Sequence, residues 1–270
     1  MMSTLPPSSS LPPGKRQAAL SDTLKGCGTS LQAWKASKHL AEVAPIDCAQ
    51  LVPVGRRAVV VAPHPDDEVL GSGGLLQLLC QEQRALLVIS VTNGSSCHQD
   101  SSRWSAQRLG IVRSQESAEA LGRLGLPLNI LKWVHGGFPD TEVALHEAEL
   151  EHFLLGYLQP SDVVFTTWRD DGHSDHEAVA RATLHACRTI GAQCYEMPIW
   201  AWHWAEPEDP RIPWDRARKV LLDHHAQARK RHAVQAFASQ LYATPGSTKG
   251  PKLTTAMLQR FQQPFELFFL

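Results

Sequence analysis

Short apolar runs alternate with segments of helical spacing through most of this chain, and this alternation constrains the fold more than any other feature. The run AVVVAP at 58–63 has the length and β-branched content of a strand that is buried on both faces. Further runs predict strands at 85–92, 128–133, 162–167 and 194–200. The spacing of apolar residues between them predicts helices over 69–83, 106–125, 146–158 and 175–190. Repeated strand–helix units predict an α/β fold with a doubly wound, mostly parallel sheet flanked by helices.

The two ends of the chain are less regular. Residues 1–20 are rich in Pro and Ser and hold little to bury, which predicts a flexible arm. Residues 21–56 are predicted to form an amphipathic helix over 30–43 and a connecting loop. The main domain is predicted to run from 57 to 270, and it includes a strand at 217–223 and a helix over 225–240. The last thirty residues show no pattern that assigns them to an element.

Composition excludes several classes of protein. Among 270 residues, 43% are hydrophobic and 20% are charged, which is ordinary for a soluble globular protein. The formal net charge of −1 offers no electrostatic reason for a nucleic-acid partner. The first residues lack the basic region and apolar run typical of an export signal, no apolar stretch approaches the length that spans a bilayer, and the six cysteines are scattered. We therefore expect a cytoplasmic protein that binds a small molecule and neither nucleic acid nor membrane, and a homo-oligomer is compatible with the sequence.

Two clusters of His and carboxylate residues follow two of the predicted strands. APHPDDEVLGSGG follows the first strand and TTWRDDGHSDHEAV follows the fourth, so both are expected at the edge where parallel strands end. His64, Asp67 and His176 would supply three nitrogen and oxygen ligands and leave one position open, as catalytic zinc requires. Alternatively, His64 caps the following helix and the acids occupy its first turn, where the helix dipole favours negative charge. The presence of two clusters favours the metal site.

The glycines in GSGG permit a second interpretation, a phosphate-binding loop for a nucleotide or a methyl-donor cofactor. Three carboxylates at 66–68 argue against it, because they would repel a pyrophosphate and attract a divalent cation. Gly71, Gly73 and Gly74 are instead expected to let the helix approach the sheet closely.

The motif APHPDDE, with HSDH at 173–176, resembles the LmbE-like, or PIG-L-type, family of zinc-dependent N-deacetylases. The resemblance extends through shorter motifs and covers the chain in order from Arg57 to Gln240. These motifs are TNG at 92–94, RSQESAEALGRLG at 113–125, FPD at 138–140 and KRHAVQAFASQ at 230–240.

The resemblance implies one zinc ion per chain, bound by His64, Asp67 and His176. It further implies that Asp66 is the general base and that His173 assists the carbonyl oxygen or the leaving amine. Asp66 adjoins a ligand in the sequence, so this role agrees with its position.

Other assignments leave alternatives open. Asp175 could orient a catalytic histidine, or it could be an ordinary acid at a helix amino terminus. The resemblance suggests that Arg113 and Asp140 contact substrate hydroxyls, although Arg113 could instead pair with Glu116 or Glu119 on a solvated helix face. The Trp-rich segment at 200–204 could form an aromatic wall of the site or simply pack in the core.

Together these features predict a single-domain, Rossmann-like zinc hydrolase. It would remove an acetyl or other acyl group from the amide nitrogen of a small molecule, with an N-acetylated amino sugar or its glycoside as the expected substrate. The alternatives are a nucleotide- or methyl-donor-binding module that uses GSGG, and a non-catalytic sugar-binding protein. The second conflicts with the complete set of catalytic residues.

Overall fold

A computed structural model of the protein describes residue 26 and residues 28–98, 104–129, 131–243 and 250–270. The arm predicted at 1–20 lies outside the described residues.

A seven-stranded sheet forms the centre of the molecule. Its strands are β1 Ala58–Ala62, β2 Leu86–Thr92, β3 Lys132–Phe138, β4 Val163–Thr167, β5 Gln193–Met197, β6 Ala217–Leu221 and β7 Phe265–Phe269. Their order in the sheet is β3-β2-β1-β4-β5-β7-β6. The first five strands pair in parallel, whereas β7 is antiparallel to both β5 and β6. The predicted α/β fold with a mostly parallel sheet is therefore confirmed.

Helices connect and cover these strands. They are α1 Leu31–Ala36, α2 Lys38–Glu42, α3 Cys48–Leu51, α4 Asp67–Gln81, α5 Ala106–Arg123, α6 Glu147–Leu155, α7 Ser174–Ile190, α8 Ala201–Trp204, α9 His224–Val234, α10 Ala238–Leu241 and α11 Thr255–Phe261, with a 3-10 turn at Val143–Leu145. The predictions for α4, α5, α6 and α7 are confirmed, with small differences at the helix ends. Within the described ranges, no helix combines the length and the apolar character needed to cross a membrane.

Both faces of the sheet are buried at its centre, as the continuous apolar character of β1 predicts. Val59 and Val61 pack on one face with Val179 of α7, whereas Val60 packs on the other face with Leu75 of α4. All five residues of β1 are buried. Helices on both faces are what a doubly wound arrangement requires.

The predicted third strand at 128–133 is wrong, because β3 spans Lys132–Phe138. This strand forms one edge of the sheet, and its residues are at most half-buried. An edge strand needs no continuous apolar run, so the apolar run at 128–133 does not mark the position of β3. Part of the predicted run lies instead in the connection after α5, where Leu128 is 43% exposed.

The helix predicted over 30–43 is interrupted. It forms two short helices, α1 and α2, that divide at Ser37. The Ser37 hydroxyl accepts a hydrogen bond from the Leu40 amide and so caps the second helix. Trp34 of α1 is buried in the same core as the sheet, and its indole N–H donates to the Trp202 carbonyl at 2.9 Å. The predicted boundary between residues 56 and 57 stays a prediction.

The carboxyl-terminal segment, which no sequence pattern assigned, completes the sheet. Strand β7 inserts between β5 and β6, and α11 precedes it. The helix predicted over 225–240 divides into α9 and α10. On β7, the buried Glu266 pairs with the buried Lys230 of α9 and accepts hydrogen bonds from the Gly74 and Leu75 amides of α4. These contacts join the end of the chain to the helix that begins at the first His and carboxylate cluster.

Candidate metal centre and active site

The two clusters meet at the carboxyl ends of β1 and β4, which are neighbours in the sheet. From β1 the chain continues to β2 and β3 on one side, whereas from β4 it continues to β5 on the other side. The clusters therefore lie at the topological switch point, where open α/β sheets bind ligands. His64 follows β1 and His176 lies in the first turn of α7, after β4. His64 Nδ1 and His176 Nε2 are 3.3 Å apart.

His64, Asp67 and His176 form a compact triangle of ligand atoms. Asp67 Oδ2 lies 3.4 Å from His64 Nδ1 and 3.3 Å from His176 Nε2. The corners of such a triangle lie about 2 Å from a common centre, which is the length of a zinc–nitrogen or zinc–oxygen bond. All three side chains are buried. Their geometry and donor set therefore fit a zinc ion.

Each of the two histidines contacts carboxylates through the ring nitrogen that lies outside the triangle, and these contacts determine which nitrogen carries the proton. His64 Nε2 lies 3.1 Å from Asp175 Oδ2 and 3.2 Å from Asp140 Oδ1, so its proton belongs on Nε2 and Nδ1 is left to bind a cation. His176 Nδ1 lies 2.8 Å from Asp171 Oδ2, which leaves Nε2 for the same purpose.

The charges around these histidines shift their titration. Burial lowers the pKa of His64, but the carboxylates of Asp140, Asp175 and Asp67 outweigh burial and raise that pKa well above its usual value. For His176, burial is likewise outweighed by Asp67 and Asp171, which raise the pKa to about 9. Both imidazoles therefore sit in an environment that favours positive charge, and a divalent cation at the centre would take the place of these protons.

Sequence reasoning missed Asp171. This fully buried carboxylate accepts hydrogen bonds from the backbone amides of Ile199, Trp200 and Ala201, in addition to its contact with His176. Asp171 lies in the quoted motif WRDDGHSDH, but the motif contains two adjacent aspartates. The letters of the motif do not distinguish the two, whereas in the structure Asp171 is buried against His176 and Asp170 is exposed.

Asp66 occupies an unusual backbone conformation beside the triangle. Its φ is 130°, a region that L-residues rarely adopt and that costs on the order of 1–3 kcal/mol. The buried carboxylate of Glu68 holds this turn by accepting a hydrogen bond from the Asp66 amide at 3.0 Å. Burial raises the pKa of the Asp66 carboxyl to about 7, and the charge of Arg113 opposes part of that rise. A carboxylate with such a pKa is suited to accept a proton near neutral pH.

Arg113 is buried against this turn and does not lie on a solvated helix face. Its guanidinium donates to Asp66 Oδ2 at 3.0 Å, to the Pro65 carbonyl at 2.6 Å and to the Gly94 carbonyl at 3.1 Å. The alternative pairing with Glu116 or Glu119 is therefore wrong. A Cβ on Gly94 would lie 2.0 Å from Arg113 Nη1, which explains why the TNG motif ends in glycine.

His173 caps α7, and its Nδ1 accepts a hydrogen bond from the Asp175 amide at 3.3 Å. The remaining proton therefore belongs on Nε2. Burial, together with the neighbouring imidazoles of His176 and His64, lowers the pKa of His173 to about 3. In this environment His173 is a neutral hydrogen-bond donor near neutral pH. Its ring stacks on Trp200, with ring centroids 6.0 Å apart.

A cavity of about 300 Å³ opens above the triangle. Asp66, Arg113, Asp140 and His173 line it, whereas Asp175, the remaining predicted catalytic residue, does not line it and contacts His64 instead. In the Trp-rich segment, Trp200 lines the cavity, whereas Trp202 is buried against Trp34.

The GSGG glycines lie inside α4 and do not form a loop at its start. A Cβ on Gly71 would meet Met197 Sδ at 2.5 Å, and one on Gly74 would meet Leu222 Cδ2 at 2.4 Å. The expected close approach is confirmed at these two positions. A Cβ on Gly73 would have only ordinary contacts at 3.4 Å and beyond, so the expectation is wrong there. This arrangement does not favour a phosphate-binding loop.

Comparison with known proteins gives a consistent result. Residues 59–187 match the family described as PIG-L, GlcNAc-PI de-N-acetylase. The uncharacterized deacetylase YaiS of Escherichia coli is 34% identical over 155 residues, which cover 54% of this chain and 76% of that protein. The 1D-myo-inositol 2-acetamido-2-deoxy-alpha-D-glucopyranoside deacetylase of Corynebacterium diphtheriae is 27% identical over 233 residues, which cover 70% of this chain and 78% of that protein.

The fold is also found in a solved structure. The zinc-inhibited form of the teicoplanin deacetylase Orf2 superposes with a TM-score of 0.59 at 16% identity, over 79% of this chain and 97% of that chain. At this level of identity, the similarity supports the fold.

Proposed function

This chain belongs to the PIG-L family and is a deacetylase, and from that premise we propose that it hydrolyses the amide of an N-acetylated amino sugar or its glycoside with one bound zinc ion. The observation that carries the proposal is the buried triangle of His64, Asp67 and His176, because its size and donor set fit zinc. A zinc ion held there would act as a Lewis acid that polarises the amide carbonyl and makes a water molecule acidic enough to attack it.

Asp66 is proposed as the general base. Its carboxylate takes a proton from the attacking water, and its raised pKa, about 7, suits that transfer near neutral pH. Arg113 supports this role because its guanidinium contacts both the carboxylate and the backbone of the strained turn. We infer that Arg113 positions the base, in addition to the substrate contact suggested for it.

His173 is proposed to donate a hydrogen bond from Nε2 to the carbonyl oxygen as negative charge develops there. The position of its proton supports this role, since Nδ1 is occupied as an acceptor. Asp175 is proposed to orient His64, from which it lies 3.1 Å. Asp140 lines the cavity beside them and remains a proposed contact for a substrate hydroxyl.

The name of one relative supports a sugar substrate. The Corynebacterium diphtheriae protein is named for an acetamido sugar linked to inositol, and the E. coli relative is named a deacetylase. Charged and polar side chains around the triangle could bind the hydroxyl groups of such a substrate.

The experiment that tests the proposal is release of free amine by metal-stripped and zinc-loaded protein. N-acetylglucosamine and its glycosides are the first substrates. We expect no release without metal and recovery of turnover when zinc reaches one equivalent per chain. If stoichiometrically loaded protein released no amine from any N-acetylated sugar, the proposed reaction would be wrong.

A further inference from the structure

The cavity above the triangle has two chemically different sides. Asp66, Arg113 and Asp140 make one side polar. Leu70, Ile199, Leu253, Met257 and Phe261 supply the apolar side, and the polar residues Gln240 and Lys252 line the cavity next to Leu253.

The carboxyl-terminal segment builds most of the apolar side. Met257 and Phe261 are four residues apart on α11 and so share one face of that helix, and Leu253, which precedes the N-cap residue Thr254, lines the same cavity. Each of these three side chains is 7% exposed. These three residues, called the apolar wall below, lie beyond residue 187, where the family match ends, and beyond the last shared motif at 230–240.

The methyl of an acetyl group would cover little of such a wall. Apolar surface that lines an open cavity gains free energy when hydrocarbon replaces water, roughly in proportion to the area covered. An N-acylated amino sugar is itself two-sided, with hydroxyls on the amine portion and hydrocarbon on the acyl portion. The polar side of the cavity fits the first portion and the apolar side fits the second.

On the basis of the proposed function, we propose that the preferred substrates are amino sugars whose N-acyl chain is longer than acetyl. The sugar lies against Arg113 and Asp140, and the acyl chain extends along Leu253, Met257 and Phe261. The reaction is the same hydrolysis, in which water breaks the amide bond and yields a fatty acid and a free amine.

The decisive experiment is a series of N-acetyl-, N-butanoyl- and N-hexanoylglucosamine with the zinc-loaded, full-length protein. We expect kcat/KM to rise along the series, on the order of tenfold for every two methylene groups buried. If kcat/KM were highest for the N-acetyl substrate, or did not change with chain length, this inference would be overturned. The proposed deacetylation would still stand. If no member were hydrolysed, the proposed function would fall, and this inference with it.

An octyl glycoside of N-acetylglucosamine tests whether the apolar wall instead takes a group attached to the sugar. We expect the glycoside to gain less than the N-hexanoyl substrate. A large gain for the glycoside and none for the acyl chain would overturn the assignment of the wall to the acyl group.

A pair of matched variants tests the wall itself. Met257→Gln keeps the side-chain length but makes the wall polar, so the hexanoyl-to-acetyl ratio of kcat/KM should fall about tenfold. Leu258→Gln makes a similar change at the next position, which does not line the cavity, and should keep the ratio within twofold of wild type. Melting temperatures establish that both variants are folded. An unchanged ratio in folded Met257→Gln would contradict the inference, and the chain-length series decides the question if that variant does not fold.

Discussion

At the scale of single residues, Asp66 and Asp67 are adjacent acids with different environments. Asp67 faces two histidines, whose charge and hydrogen bonds overcome the effect of burial and lower its pKa far below the usual value. Asp66 faces one arginine, and there burial dominates, so the pKa rises to about 7. The first is suited to bind a cation as a carboxylate, and the second is suited to exchange a proton.

Asp66→Asn should separate these roles. The amide can keep a hydrogen bond to Arg113 but cannot accept a proton, so we expect near-stoichiometric zinc and a turnover lowered by on the order of a hundredfold to ten-thousandfold. Metal analysis and kcat on the same preparation provide the measurement. A zinc-replete variant with turnover close to wild type would remove Asp66 from the role of general base.

Asp171 is expected to act on the metal through His176. Asp171→Asn keeps an acceptor for the backbone amides but removes the charge that orients and polarises the ring. Zinc affinity should therefore fall by on the order of 10–100-fold, measured by competition with a chelator. Asp170→Asn is the matched control, and equal zinc affinities in the two variants would contradict the assignment.

At the scale of elements, α4 lies unusually close to its neighbours. Gly71 and Gly74 allow this contact because a Cβ at either position would overlap a neighbouring side chain. A Cβ at Gly73 would make only ordinary van der Waals contacts. The three glycines therefore differ in what an added methyl group should do.

Gly74→Ala and Gly73→Ala form a matched test. We expect Gly74→Ala to lower the free energy of unfolding by about 1–3 kcal/mol, because the new methyl overlaps Leu222. Gly73→Ala should be neutral or stabilise by up to about 1 kcal/mol, since alanine has the higher helix propensity. Urea denaturation measures both changes, and equal effects would contradict the proposed packing difference.

The buried pair of Lys230 and Glu266 connects α9, β7 and α4. Lys230→Met removes the cation and leaves the Glu266 carboxylate buried, so the free energy of unfolding should fall by about 3 kcal/mol or more. Arg231→Met changes an exposed cation on the same helix and should stay within about 0.5 kcal/mol of wild type. If the free energy of unfolding fell by a similar amount in the two variants, the buried pair would not contribute more to stability than an exposed cation does.

At the scale of the whole molecule, the carboxyl-terminal segment is part of both the sheet and the cavity. Strand β7 separates β5 from β6, and α11 carries the apolar wall. The opposite end of the chain allows a contrasting prediction, which comes from its composition.

Deletion of residues 2–16 should change neither turnover nor melting temperature measurably, because this Pro- and Ser-rich stretch holds little to bury. Thermal unfolding and amine release of the shortened protein provide the test. A loss of several degrees or of most activity would show that the stretch contributes to the domain or to its site.

The sequence by itself determined the parallel core of the sheet and the two clusters at its edge. Strands buried on both faces require continuous apolar runs, and a strand–turn–helix unit brings His64 and Asp67 together within a few residues. Only the tertiary structure decided the position of the edge strand β3, the insertion of β7, the contact of Asp171 with His176 and the apolar side of the cavity. The physical reason is the range of the interactions. Burial on both faces and turn geometry leave local signals, whereas an edge strand, a distant partner or a wall from another helix depends on how separate elements pack.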